Sequence, residues 1–298
     1  MKHAALIFVM LTFSGMLVAQ QSPSPAQPSS GNNAKPGATQ QTAAPARRPP
    51  QAKTQAEFDA YKAAMNNAND PAAMEKSADD FAAKFPTSEL RDILYRIAMR
   101  GYQNSNQGDK MSETAQKLLK IDPNDPEALV DDAEVAVEHI HDTDLDKDQR
   151  LDDASKEAQH ALQTADTDIP AGVQPQQEAM FESMVRSSAY SILGGAADKK
   201  EKYAEAEDYY RKAIAADPSH TDPIIVLRLA LALDKQSKYA DALQQANQAV
   251  QMTQENTVPG KLARQERDRL VQLTGGSSTP APPASKPPAG GGQNPPSQ

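Results

Sequence analysis

The sequence predicts an all-α chain, a solenoid of about five helical hairpins across residues 54–273 that ends in a C-terminal capping helix. Three observations carry that prediction. The middle of the chain is rich in alanine, poor in β-branched residues and without strand-like alternation. Its prolines are spaced out, at Pro71, Pro86, Pro123, Pro126, Pro170, Pro175, Pro218, Pro223 and Pro259, which divides the region into helices of moderate length. Two stretches, Glu201–His220 and Ser237–Asn256, also read alike. Each has Lys-Tyr-Ala, an acid and Ala, followed by small or apolar residues three and four apart.

Taken in order, residues 1–19 open with the basic Lys2 and His3, followed by an apolar run from Ala4 to Val18 and then Ala19. That pattern is expected of a secretory signal with Ala19 as the cleavage residue; left uncleaved, it would be an N-terminal anchor and the chain's one membrane attachment. The remainder is then expected outside the cytoplasm, periplasmic or secreted. Residues 20–53 and 274–298 are rich in Pro, Ser, Gln, Ala and Gly, hold seven prolines each and contain no Asp or Glu. Too few large apolar side chains are present to offset the entropy of ordering, so both are expected to be disordered, a linker and a tail. All 40 acidic residues therefore lie within 54–273, with 25 of the 31 basic ones, a net charge of −15. So acidic a surface repels phosphates, which excludes nucleic-acid binding by the core. The chain has no cysteine, and hence no disulfide, thiolate metal site or thiol nucleophile.

The hairpins follow from apolar spacing. The first uses Tyr61, Ala64, Ala73, Ser77, Phe81 and Pro86; the second uses Tyr95, Ala98, Met99, Tyr102, Gly108, Ala115, Leu118 and Pro123. Met111 stands in the second where a small residue is expected, which calls for shifted packing. The third hairpin has Leu129, Ala133 and Ala136 on one helix. Its second helix, expected from near Leu151, carries Ala154, Ala158, Ala161 and Leu162. The fourth pairs Tyr190, Leu193, Gly194 and Ala197 with Ala206, Tyr210, Ala213 and Ile214. The fifth pairs Val226, Leu229, Ala230 and Leu233 with Ala242, Ala246, Ala249 and Val250. Small residues let the paired helices approach, and the aromatics fill the space between them. The last helix, Gly260–Leu273, sets Leu262, Leu270 and Leu273 among charges, as a capping helix would.

Tyr190, Leu193, Gly194, Tyr203, Ala206, Tyr210, Ala213 and Pro218 stand at the spacing of the tetratricopeptide repeat, and the chain resembles that family. The resemblance implies a right-handed superhelix whose first helices line a concave groove for a peptide or protein segment. The helix sides not used for packing would then expose Arg96, Arg100, Gln103 and Asn104, followed by Asp131 and Glu134, then Arg228, Leu231 and Lys235. Some family members clamp a partner's C-terminal carboxylate with Lys, Asn and Arg. Arg228 matches one such place, whereas Ile224, Asp131 and Glu134 depart from the pattern. The aromatics Phe58, Tyr61, Phe81, Tyr95, Tyr102, Tyr190 and Tyr210 fall at packing positions rather than in a ligand box.

One segment interrupts the pattern. Ala136 to Ala154 is nine residues longer than the equivalent Ala197 to Ala206, so an acidic insertion, 139–150, lies at the tip of the third hairpin. Asp142, Asp144, Asp146, Asp148 and Asp153 take positions one, three, five, seven and twelve of an EF-hand calcium loop. Lys147 stands where such a loop needs Gly, and Asp153 is shorter than the usual bidentate Glu. The other reading is a solvated turn in which Asp148 or Asp152 caps the next helix. His139 and His141, two residues apart, do not share a helical face for zinc.

No nucleophile elbow, zinc-protease motif or phosphate loop is present, and the repeat leaves no residues for a catalytic domain. The leading expectation is an exported, non-enzymatic scaffold in a bacterial envelope, without a cofactor. A calcium-responsive module built on the Asp142–Asp153 loop is the alternative from another class. A third is an accessory subunit of an envelope enzyme, or of a secretion or outer-membrane assembly complex.

Overall fold

The computed structural model describes residues 49–171 and 173–275. The expected signal at 1–19 and most of the expected linker and tail fall outside those residues.

Among the described residues there are eleven helices and no strand. They form five antiparallel hairpins and one closing helix. The hairpins are α1 (Gln55–Met65) with α2 (Pro71–Lys84), α3 (Arg91–Asn104) with α4 (Gly108–Leu119), and α5 (Pro126–Glu138) with α6 (Lys147–Thr164). Then come α7 (Pro175–Lys199) with α8 (Tyr203–Ala216), α9 (Pro223–Lys235) with α10 (Tyr239–Met252), and α11 (Val258–Thr274). Each helix packs chiefly on its neighbours in sequence, with α5 also on α7 and α9 also on α11, as in a helical solenoid.

The helix starts are written locally. Asp70, Asp125 and Asp222 each precede a proline at the first helical position. Their carboxylates accept from the backbone N–H groups of Ala72 and Ala73, of Ala128, and of Ile224. Three hairpin turns share one geometry. Asn106, Glu201 and Ser237 adopt left-handed φ values of 54°, 58° and 58°. The next N–H then donates back to a carbonyl five residues earlier, Gln107 to Tyr102, Lys202 to Ala197 and Lys238 to Leu233.

The predicted inner faces of the fourth and fifth hairpins are the observed ones. Leu193, Gly194, Ala197, Ala206, Tyr210 and Ala213 are buried, as are Val226, Leu229, Ala230, Leu233, Ala242, Ala246 and Ala249. The first hairpin differs. Its predicted stripe through Ala73 and Ser77 is one position out, and α2 buries Met74, Ala78 and Phe81. The Ser77 hydroxyl donates to the Ala73 carbonyl and accepts from Asn67, both at 2.8 Å, which turns that side toward the preceding turn. Met111 is buried beside Ala115 and Leu118, so the core accommodates it. In α11 only Leu270 of the three leucines is buried; Leu262 and Leu273 remain about half exposed.

Helix α7 is longer than the repeat requires. At 25 residues it begins well before Tyr190 and buries Phe181, Val185 and Ala189, four apart, against α6. It contributes to two cores, one shared with α5 and α6 and one shared with α8 to α10.

Candidate functional site

The first helices of the central hairpins carry most of the residues expected to line a groove. Their charge is unevenly arranged, and part of it is not on the surface. Arg96 of α3 is buried. Its guanidinium lies 2.5 Å from Asp125 and 3.3 Å from Glu127, and Arg100 holds the same Glu127 through two nitrogens at 2.6 and 2.8 Å. Burial alone would raise the Glu127 carboxyl, but the Arg100 and Arg96 charges hold it below the ordinary value. The expectation that Arg96 is exposed is therefore corrected. Its chain runs into the α3–α5 interface, where paired carboxylates await it about thirty residues along the sequence. Arg100 is partly accessible, Gln103 is half-buried and Asn104 is exposed, so that end of α3 does face outward.

Asp131 is corrected in the same way, because only 4% of it is exposed. It lines a small cleft where α3, α5 and α7 meet. Gln103, Glu127, Glu134 and Ser188 supply the other polar lining, and Val130, Met184 and Val185 supply the apolar walls. Burial and the neighbouring Glu127 and Glu134 charges push the Asp131 carboxyl well above its ordinary value. Glu134 is pushed up to about 7, by burial first and then by Glu138, with Arg228 opposing.

That shift has a sign that can be measured. A carboxyl that binds its proton more tightly in the fold than in the unfolded chain makes stability fall as pH rises between the two pKa values. Glu134→Gln removes this response. Between pH 5 and pH 8 the wild type should lose on the order of 2 kcal/mol relative to the variant, read from urea unfolding at each pH. Parallel curves for the two proteins would show that Glu134 titrates normally.

Further along the row, Arg228 of α9 lies 3.7 Å from Glu138 of α5. Leu231 and Lys235 are exposed, and Lys235 stacks 5.9 Å from the Tyr203 ring centre. This side of the molecule thus runs from the acidic cleft to a basic and apolar patch on α9.

Residues 187–220, the end of α7 with all of α8, match the family model of the tetratricopeptide repeat. That segment is a tetratricopeptide repeat. Among solved structures it is similar to that of Pseudomonas aeruginosa pilF, at 16% identity and a TM-score of 0.50, over 74% of this chain and 87% of that one. It is also similar to a MamA structure at 16% identity and a TM-score of 0.40, over 60% of this chain and 85% of that one. A tetratricopeptide repeat protein from Parabacteroides merdae matches at 14% identity and a TM-score of 0.37, over 75% of this chain and 88% of that one. Likeness at such identity concerns the fold. No curated protein matches the chain.

The acidic cleft and the α9 patch both lie on first helices of their hairpins, α3, α5 and α7 for the cleft and α9 for the patch. The acidic insertion lies at the tip of its hairpin. Helix α6 begins at Lys147, four residues earlier than near Leu151, and the loop shortens to 139–146. Two cations bring this about. Lys147 binds Asp142 at 2.7 Å, and Arg150 binds Asp144 at 3.1 Å. Asp148 and Asp153 are carried away on α6, where Asp153 bonds Gln149 and Lys156. The five aspartates, with Asp146 at the helix start, do not converge. Among the described residues no group of three or more His, Cys, Asp or Glu is placed to hold a metal ion. His139 lies 3.3 Å from Asp109 on another helix.

The expected packing role of the aromatics is seen at Phe81, Tyr95, Tyr102 and Tyr210, all buried. Tyr95 and Tyr102 donate to Asp79 and Glu75, and Lys117 ties both acids together at 2.8 Å. Phe58 is the exception, nearly half exposed, with the Lys62 ammonium 5.6 Å from its ring centre.

Sequence reasoning passed over Glu127, Met184, Val185 and Ser188. The repeat of Phe181, Val185 and Ala189 every four residues was the available signal for the α7 extension that supplies three of them.

Proposed function

We propose that the chain is a non-catalytic scaffold that binds a protein segment in the groove formed by its first helices. Repeat arrays of this kind bind protein partners, and the observation that carries the reading here is the cleft between α3, α5 and α7. There a buried carboxylate meets apolar walls on the face the repeat leaves open. The apolar run at residues 4–18 supports a place outside the cytoplasm, and the described residues include no helix long and apolar enough to cross a membrane.

A photo-crosslinking phenylalanine analogue at Gln103 or Ser188, introduced in the source cells, tests the groove. The expected result is a discrete crosslinked protein from both sites and none from Lys76, an exposed position on α2. Equal products from all three positions would remove the groove from consideration.

A further inference from the structure

Three side-chain oxygens among the described residues are buried without a hydrogen-bond partner, Asp92 Oδ1, Asp131 Oδ2 and Asp234 Oδ1. Only Asp131 also lines the groove cleft. A buried carboxylate oxygen without a partner costs stability, and such positions are retained where a ligand supplies what the fold does not. Its surroundings describe that ligand. Arg100, whose charge acts on Asp131, is already committed to Glu127 through two bonds. From α3 the remaining neighbour is Gln103, and from α7 come Ser188, Met184 and Val185, none of them charged. Along α5 itself stand Glu127 and Glu134. Further carboxyl groups therefore face Asp131, while the nearby guanidiniums of Arg96 and Arg100 are engaged with Asp125 and Glu127.

The shape is equally selective. The cleft leaves room for about one water-sized group, and Val130, Val185 and Met184 are its apolar lining. An ammonium is about the size of a water molecule, and a lysine carries one on an apolar four-carbon stem. A guanidinium is broader and planar. Among the described residues no group of three or more His, Cys, Asp or Glu is placed to hold a divalent ion.

We propose that this cleft receives a primary ammonium, the Nζ of a lysine borne by the protein segment that lies in the groove. The assignment rests on the groove being the partner's seat and adds the chemistry of one contact. Asp131 Oδ2 accepts from the ammonium, Glu134 and the Ser188 hydroxyl complete its shell, and the stem lies along Val185 and Met184. Entry of the cation favours the ionised carboxylates, so binding releases protons and strengthens as pH rises through 7. The groups that set this response are Glu127, Glu134, Glu138 and Asp125 on and beside α5, Arg96 and Arg100 from α3, and Arg228 and Asp222 from the α9 end.

The test uses the full chain labelled at the methionine methyl carbons, with Met184 as the reporter. It is titrated with acetyl-Ala-Ala-Xaa-Ala-Ala-amide, where Xaa is lysine, arginine, norleucine or Nε-acetyl-lysine, and with Ala-Ala-Ala-amide bearing a free terminal amine. The lysine peptide should move the Met184 signal saturably, and the others should bind roughly tenfold more weakly or not at all. Asp131→Asn should remove the response while its melting temperature stays level or rises, which separates lost binding from lost fold. Affinity for lysine should fall several-fold from pH 8 to pH 6. Equal binding by norleucine, or an unchanged Kd in Asp131→Asn, would overturn the proposal. So would a terminal amine that binds as well as lysine, or no saturable shift at all. Ser188→Trp, which fills the groove, separates this from the broader reading. If that variant loses the crosslinked partner and Asp131→Asn keeps it at full affinity, the groove stands and the ammonium site falls. If neither variant changes partner capture, both fall.

Discussion

Arg96→Ala should lower the stability of the array by about 3–5 kcal/mol, measured as a shift of the urea midpoint at pH 7. The reason is what the truncation leaves behind. Asp125 and Glu127 are each only 2% exposed at the side chain. Arg96 is the ion-pair partner of Asp125, whose other oxygen caps α5 through Ala128. Glu127 keeps Arg100, but Asp125 becomes a buried charge beside it with no cation. Removing one member of a buried ion cluster costs much more than the cluster contributes, because the desolvated partners have no route back to water. Replacing Arg96 by Met together with Asp125 by Asn, which retains a cap, should therefore recover most of the loss. Gln103→Ala, on the same helix but outside the cluster, should change stability by less than about 0.5 kcal/mol. A partner-binding role for Arg96 without a structural one would show the reverse, with stability unchanged and capture lost.

Tyr210→Ala is expected to cost a similar amount, about 3–5 kcal/mol, for a reason of shape rather than charge. The ring is 1% exposed and packs against α7 at Gly194, which presents no side chain. A Cβ at Gly194 would fall 2.6 and 2.7 Å from two ring carbons, closer than real contacts allow. Glycine and tyrosine thus form one fitted pair, and a sign reversal reveals it. Gly194→Leu should be strongly destabilising alone, by about 3 kcal/mol, yet stabilising in the Tyr210→Ala background, where the leucine fills the vacated space. Additive losses in the double variant would mean that the two side chains do not compete for the same volume.

These two contacts also mark what could be read from the sequence. The Gly194–Tyr210 fit was legible, since a repeat spelled twice, with small residues at fixed offsets, reports helix faces directly. Where alanines are too evenly spread, the signal weakens. "PAAMEKSADDFAAK" offers Ala73 and Ser77 as readily as Met74 and Ala78, and the choice depends on Asn67 bonding Ser77 from the preceding turn. The ion cluster was illegible for a stronger reason. Helical phase assigns Arg96 and Asp131 to the outer side, but phase does not report that Asp125 and Glu127 fold back over α3. The early start of α6 was hidden for the same reason. Alternate aspartates suggest ligands, whereas Lys147 and Arg150 draw two of them into ion pairs and start α6 early. Sequence patterning gives faces; which charges neutralise each other is settled by contacts distant in the chain.

The length of α7 has a mechanical consequence. In an array whose units touch mainly their neighbours, tension on the two ends would be expected to peel hairpins away one at a time. A helix of 25 residues rooted in two separate cores resists that sequence, because it cannot leave one without loosening its hold on the other. It behaves as a splint across the middle of the array. Under load, the central units should yield together and at higher force than the hairpins at either end.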